Sequence, residues 1–319
     1  MTNDPIFIGG TGRSGSTILA KILGKHQNIL NVNESRFIID PGGLISLVDA
    51  FTHHWGKSMT DKALSDFDSM MSALRDRGIG MRILRKIVRE FHTDLNYWFS
   101  PSEYAQIGLG IYLGIDHYDA TLNDFLEEIE EFRFRGYNLS TKSFTLLPYI
   151  KQGKRLSREK LIKICSEFVN NLFDFKMKKD GNLRWCDDTP ENYLRVDFLY
   201  ELFPNMKLIH IYRDPKDVIS SYKRQSWAPT KFTDSVKLMN NLMAEWKMKR
   251  TLVPEASFLE IKFEDLIRDN KRTLAKICRF LHLELQASMA EVDISHHHIG
   301  RHKKDLTDEE IATAESELE

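Results

Sequence analysis

Three groups of residues have the types and spacing for chemistry on an anion. Residues 10–17 read GTGRSGST. There Gly10, Gly12 and Gly15 let the backbone take positive φ and approach a ligand closely. Ser14, Ser16 and Thr17 supply hydroxyl donors, and Arg13 supplies a permanently charged guanidinium that fits oxyanions bidentately. Residues 212–222, YRDPKDVISSY, carry a second guanidinium and hydroxyl, Arg213 and Ser221. Glu34, in NESR, is a carboxylate suited to deprotonate a nucleophile attacking a bound group.

Pro5–Gly9 is a short apolar β-type run, and Ile18, Leu19, Ile22 and Leu23 have helical spacing, so a strand, a glycine-bearing loop and a helix over 16–25 are expected. The helix N-terminus adds unpaired N–H groups and a positive dipole end to the loop. Gly10–Thr17 nearly fits the triphosphate pattern G-x-x-x-x-G-K-[ST], but Ser16 stands where the lysine belongs, which argues against triphosphate hydrolysis. An ordinary glycine-rich turn is the plain alternative.

Ile29–Val32 reads as a second buried strand, parallel to the first through a right-handed crossover. Glu34 follows its end, on the rim where open α/β sheets bind ligands. The competing reading is a solvated carboxylate paired with Arg36. Lys207–Tyr212 alternates as a strand; Arg213 ends it, Asp214 caps the next helix, Pro215 fits its first turn and Asp217 completes a capping-box-like arrangement. Ser221 falls on the second turn, so a second anion site shares the rim. Two such sites imply a ligand with two separated phosphates. Phe258–Ile261 reads as a further parallel strand and Thr273–Leu283 as a helix. TDEE at 307–310 is a capping box opening a last helix.

Residues 40–184 are dominated by helical patterns, with apolar stripes over Met81–Phe99 and Leu161–Phe173 and an acidic amphipathic helix over Ala120–Phe134. Their position suggests a helical insertion forming the acceptor side of one α/β domain spanning 1–319. WCDDTP, 185–190, looks like a helix entrance with Thr189 as N-cap; Asp187 and Asp188 have the chemistry of catalytic carboxylates but are read as serving that cap. His296–His298 cannot all face one metal from a regular element, and a basic loop with Arg301, Lys303 and Lys304 closing over the ligand fits them better.

The 319-residue chain is 42% hydrophobic and 29% charged, with net charge −1, ordinary for a globular protein and unlike a general nucleic-acid binder. No apolar run approaches the ~20 residues of a membrane span, and no signal-type leader opens the sequence, so a cytoplasmic location is expected. Cys165, Cys186 and Cys278 show no disulfide or zinc spacing and are expected to be reduced.

These residues resemble the sulfotransferases that use 3′-phosphoadenosine 5′-phosphosulfate. GGTGRSGST is similar to their 5′-phosphosulfate loop and YRDPKDVISSY to their 3′-phosphate segment; RSGST through NESR resembles the protein-tyrosine branch and its bacterial relatives. The resemblance covers both ends of the chain and hardly touches 40–180. It implies a P-loop-like α/β fold with a central parallel sheet flanked by helices, and no metal. Gly12, Arg13, Ser14, Gly15, Ser16, Thr17, Arg213, Ser221 and Arg301 would bind the donor, whose spent form is 3′,5′-adenosine diphosphate. Glu34 would be the base and Arg13 a catalytic cation, and the acceptor a hydroxyl or amine of a small molecule or sugar. Relatives often carry a lysine where this chain has Asp188, and tryptophan where it has His302; Lys142 or a late-loop lysine is the expected substitute for the former. A nucleotide kinase or NTPase, and a non-catalytic nucleotide-binding protein, are the alternatives.

Overall fold

The computed structural model describes residues 4–76, 107–136, 149–294 and 299–318. The helix expected over 81–99, Lys142 and the His296–His298 run lie outside them. In chain order the elements are β1 (Ile6–Gly9), α1 (Ser16–Leu23), β2 (Ile29–Asn31), α2 (Leu44–Thr52), α3 (Lys57–Arg75), α4 (Leu109–Leu113), α5 (Ile115–Ile129), β3 (Glu130–Arg135), β4 (Tyr149–Gly153) and α6 (Arg158–Asp180). There follow β5 (Arg184–Asp187), a 3₁₀ stretch (Pro190–Arg195), α7 (Val196–Leu202), β6 (Lys207–Tyr212), α8 (Pro215–Tyr222), α9 (Phe232–Lys249) and β7 (Phe258–Lys262). The chain closes with α10 (Phe263–Arg268), α11 (Asn270–Leu281), α12 (Ala287–Ala290), α13 (His302–Asp305) and α14 (Asp308–Glu317).

Two compact units emerge, one formed by Met1–Glu34 with Asp180–Glu319 and the other by Ser35–Lys179. The first is built on a five-stranded sheet in the order β2-β5-β1-β6-β7, every pairing parallel. Such a sheet is covered on both faces, so its strands read as apolar runs rather than alternations. β1 shows this: Ile6 and Ile8 join Leu19, Ile22 and Leu23 of α1 and the apolar side of α11 on one face. On the other, Phe7 meets Trp185 edge-on at 5.3 Å between ring centroids.

The β1–α1–β2 crossover gives parallel strands as the sequence suggests, but β5 lies between them. The segment read as a helix entrance thus contributes a central strand. Its four residues begin and end with charge, hiding the apolar run. Arg184 is buried at one end because its guanidinium donates to the Asp4 carbonyl at 2.6 Å and the Leu281 carbonyl at 2.7 Å. The helix after it also departs from expectation: Pro190 takes the first position, but a 3₁₀ stretch precedes α7, and Thr189 at its start makes no side-chain cap hydrogen bond.

The second unit packs α3, α5 and α6 around an aromatic cluster, in which Phe125 stacks on Phe168 at 4.3 Å and meets Phe67 at 5.4 Å. The helix expected to reach Phe134 ends at Ile129, and Glu130–Arg135 pairs antiparallel with β4. FRFR has the two-residue period of a strand, and it wins over the helical pattern preceding it. The hairpin is fastened to α3 by the Lys151 N–H on Asp61 Oδ1 at 2.9 Å and the Gly153 N–H on Thr60 Oγ1 at 3.2 Å.

Candidate anion-binding site

The loop from β1 to α1 is held at both sides. The Gly10 N–H donates to the Pro190 carbonyl at 2.8 Å, and the Tyr222 hydroxyl donates to the Thr11 carbonyl. Burial pushes that phenol up to about 12, so it stays a donor throughout the neutral range. Gly12, Arg13 and Gly15 take φ of 70°, 57° and 105°, left-handed residues that turn backbone N–H groups inward as an anion cradle; Gly10, expected to share that conformation, does not, and is glycine because a Cβ there would meet the Ile211 carbonyl oxygen at 2.4 Å. No side chain caps α1, which leaves its N-terminal donors for a ligand. Ser14 is fully buried, and its Oγ has no hydrogen-bond partner among the described residues. An orphaned hydroxyl at the floor of such a cradle fits a phosphate oxygen. Ser16 is buried at the first position of α1, and Thr17 beside it is exposed.

The second motif closes against the first. Arg13 Nε donates to Ser221 Oγ at 3.1 Å, and Arg213 Nη1 donates to the Arg13 carbonyl at 3.4 Å. Residues some two hundred positions apart thus form one hydrogen-bonded group. Arg213 lies 5.0 Å above the Phe263 ring, a cation–π contact that holds the guanidinium flat. Its Nη2 reaches Asp217 Oδ2 at 3.2 Å.

Asp214 caps α8 as expected, accepting from the Lys216 N–H at 2.9 Å. Asp217 does not complete a capping box: the Asp214 N–H donates instead to Glu264 Oε1 at 3.0 Å. Asp217 is buried and accepts from the Gly300 N–H at 2.8 Å, the His302 N–H at 3.0 Å and His302 Nδ1 at 2.6 Å. Burial would raise its carboxyl, but these donors and Arg213 outweigh burial and hold it below the usual carboxylate range. The late basic loop is therefore anchored to α8. Arg301, between the two anchored residues, pairs with Asp305 Oδ2 at 2.5 Å, and Asp305 also takes Ser220 Oγ at 3.2 Å. TDEE forms the full capping box expected of it.

Glu34 is reached from the end of β2. β2 runs on through the Val32 N–H, bonded to the Cys186 carbonyl at 2.9 Å, and Asn33 turns the chain with φ of 53°. Half-buried Glu34 follows on the same rim as the loop. β5 intervenes, so the axes of β2 and β1 stand about 10 Å apart. On β5, Asp187 accepts from the Thr189 N–H at 3.0 Å and Asn192 Nδ2 at 2.7 Å. Asp187 therefore ends β5 and binds the turn after it, in place of the helix cap expected of it. Asp188 is buried beside it.

Sequence reasoning missed Tyr222, Phe263, Glu264 and the true partners of Asp217. Phe263 had one available signal, its place just past the end of a parallel strand. Among the described residues there is no His, Cys, Asp and Glu cluster able to hold a metal, and no helix is long and apolar enough to cross a membrane. All three cysteines are free and buried.

Solved structures similar to this chain include the sulfotransferase domain from the curacin biosynthetic pathway, at 14% identity over 98% of this chain and 86% of that one with a TM-score of 0.44. The sulfotransferase domain of the Synechococcus PCC 7002 olefin synthase aligns at 17% identity over 98% and 84%, TM-score 0.45. Sulfotransferase STF1 from Mycobacterium tuberculosis H37Rv aligns at 14% identity over 91% and 70%, TM-score 0.42. No curated protein matches. The family model described as "Sulfotransferase family" matches residues 121–287, more than half of the chain and inclusive of YRDPKDVISSY, and the protein accordingly belongs to the sulfotransferase family.

Proposed function

We propose that the protein transfers a sulfuryl group from 3′-phosphoadenosine 5′-phosphosulfate to a hydroxyl or amine of a small-molecule or sugar acceptor. The observation that carries this reading is the joining of the two anion motifs through Arg13, Ser221 and Arg213. A nucleotide with a phosphate at each end of its ribose needs both motifs at once, at a fixed separation.

The donor supplies an activated sulfur whose bond to the bridging oxygen breaks as the acceptor attacks. Gly12, Ser14, Gly15, Ser16, Thr17 and the cradle N–H groups hold the 5′ end, with the unpaired Ser14 hydroxyl as one contact. Arg213 and Ser221 hold the 3′-phosphate, with Arg301 arriving on the anchored late loop. Arg13 spreads positive charge over the transferring group and the leaving phosphate, where charge develops in the transition state. Glu34 takes the acceptor's proton as the new bond to sulfur forms. With Asp188 in place of a lysine, Arg13 and the α1 N-terminus carry the stabilisation of the leaving oxygen.

The test is transfer of labelled sulfuryl from the donor to a panel of phenols, alcohols, sugars and amines, alongside calorimetry with 3′,5′-adenosine diphosphate. The reading expects nucleotide binding without added metal and a labelled product with at least one acceptor class. Glu34→Gln should retain the nucleotide and lose turnover. Magnesium-dependent ATP hydrolysis would favour a P-loop kinase or NTPase, and tight nucleotide binding with no product from any acceptor a non-catalytic protein. Exchanging residues 40–184 with those of a related enzyme tests whether they select the acceptor.

A further inference from the structure

The two oxygens of the buried Asp217 carboxylate are not held alike. Oδ1 takes two donors from a single residue, His302 Nδ1 at 2.6 Å and the His302 N–H at 3.0 Å. Oδ2 takes the Gly300 N–H at 2.8 Å and Arg213 Nη2 at 3.2 Å. These four donors fill the roughly four lone-pair sites of a carboxylate. The imidazole contact is short, whereas 3.2 Å is long for a guanidinium on a carboxylate, which closes to about 2.7–2.9 Å when nothing opposes it. Asp217 is thus committed to the loop at 300–302 and only steers Arg213.

That asymmetry matters in an anion site. A carboxylate free to take Arg213 by both prongs of its fork would cancel the charge needed for a phosphate. The donors around Asp217 keep it ionised, below the usual carboxylate range, so Nδ1, the ring atom facing it, carries a proton. The imidazole is not what keeps the late loop in place. Asp305 of α13 accepts from Ser220 Oγ of α8 at 3.2 Å and pairs with Arg224 just beyond that helix, and the Gly300 N–H has its own bond to Oδ2.

We propose that His302 is a positioning residue for nucleotide binding: its Nδ1–H draws Asp217 toward the late loop, so that Arg213, laid across the Phe263 ring, meets a 3′-phosphate instead of being neutralised. The identity of that phosphate rests on the sulfuryl-transfer reading.

Calorimetry with 3′,5′-adenosine diphosphate and with adenosine 5′-phosphate, which lacks the group assigned to Arg213, tests the proposal. His302→Phe keeps a ring and removes the donor. It should weaken the diphosphate about tenfold, as the loss of one bond to a charged group does, and leave the monophosphate within about twofold. His302→Asn, whose amide can place an N–H near the position of Nδ1–H, should restore most of the diphosphate affinity although it fills the space less well. His302→Leu takes the place of His302→Phe should that variant fail to fold. A purely structural role predicts the opposite order, with the ring-keeping variant the milder one, and equal losses for both nucleotides. Either of those results overturns the proposal, as does an imidazole nitrogen NMR spectrum of the wild type in which Nδ1 bears no proton. Wild-type protein that binds both nucleotides equally defeats the placing of a 3′-phosphate at Arg213, and the proposal with it; a preference for the diphosphate that survives His302→Phe unchanged defeats the proposal alone.

Discussion

Gly15 should tolerate no side chain in the anion loop, and Gly15→Ala measures why. At φ of 105° an added Cβ would lie 2.4 Å from Phe263 Cδ2 and 2.7 Å from its Cε2. Holding an L side chain in the left-handed region costs roughly 1–2 kcal/mol. Displacing a packed aromatic adds roughly 1–3 kcal/mol, giving about 2–5 kcal/mol altogether. Gly12→Ala is the internal control, since φ is 70° there but the nearest atom, Trp227 Cη2, is 3.4 Å away. It should show only the conformational part, about 1–2 kcal/mol. Phe263 also lies under the Arg213 guanidinium, so moving the ring should loosen nucleotide binding as well. Urea unfolding followed by tryptophan fluorescence gives the stability difference, and calorimetry with 3′,5′-adenosine diphosphate gives the affinity. Equal stability of the two variants, or a destabilised Gly15→Ala with unchanged affinity, would refute the reasoning.

Removing the Arg213 guanidinium by Arg213→Ala should raise the 3′,5′-adenosine diphosphate dissociation constant about 10- to 100-fold by calorimetry, the loss of about 1.5–3 kcal/mol expected of a charge-assisted bond. Arg213→Lys should recover only part of it, because an ammonium cannot keep both the Arg13 carbonyl and the Phe263 face. Asp217→Asn replaces one acceptor oxygen by a donor facing N–H groups and should cost about 2–3 kcal/mol in urea unfolding while weakening the nucleotide; a neutral result would remove the anchoring role. His210, 3.5 Å from the carboxylate, together with the Trp246 and Arg250 donors, holds Glu260 at about 2, below its ordinary 4.5. Its contribution to stability is therefore complete above about pH 4.5 and drains away as the pH falls toward 2. Glu260→Gln should flatten the dependence of the melting temperature on pH in that window, and an unchanged slope would count against the ion-paired state.

The anion loop was legible because its signal is local: a strand, left-handed residues and a helix start all lie within twenty positions. Arg213, Asp214 and Ser221 were legible for the same reason, as consecutive turns of one strand-to-helix junction. The partners that make the site rigid were not. Asp217 has the right spacing for a capping box, yet Gly300 and His302 take its oxygens, and a pairing across that much chain leaves no periodicity to read. Phe263 looks like any apolar residue after a strand. β5 was missed because charge brackets its apolar core, and β3 because a strand period starts abruptly after a helical one. Local patterns report local geometry, whereas the residues that join two motifs are chosen by the fold that brings them together.

The placing of β5 also bears on how the chain is made. β1 and β2 never touch each other; each finds its neighbour only in a strand that leaves the ribosome after the whole of Ser35–Lys179. At about 5–20 residues per second that interval is on the order of ten seconds. For that time the nascent anion loop has no sheet beneath it, and two apolar strands wait with open edges while the helical unit folds around its own aromatic cluster. On the sulfuryl-transfer proposal, nucleotide capture then waits until late in synthesis, once Tyr222, Arg213 and finally the His302 anchor have emerged.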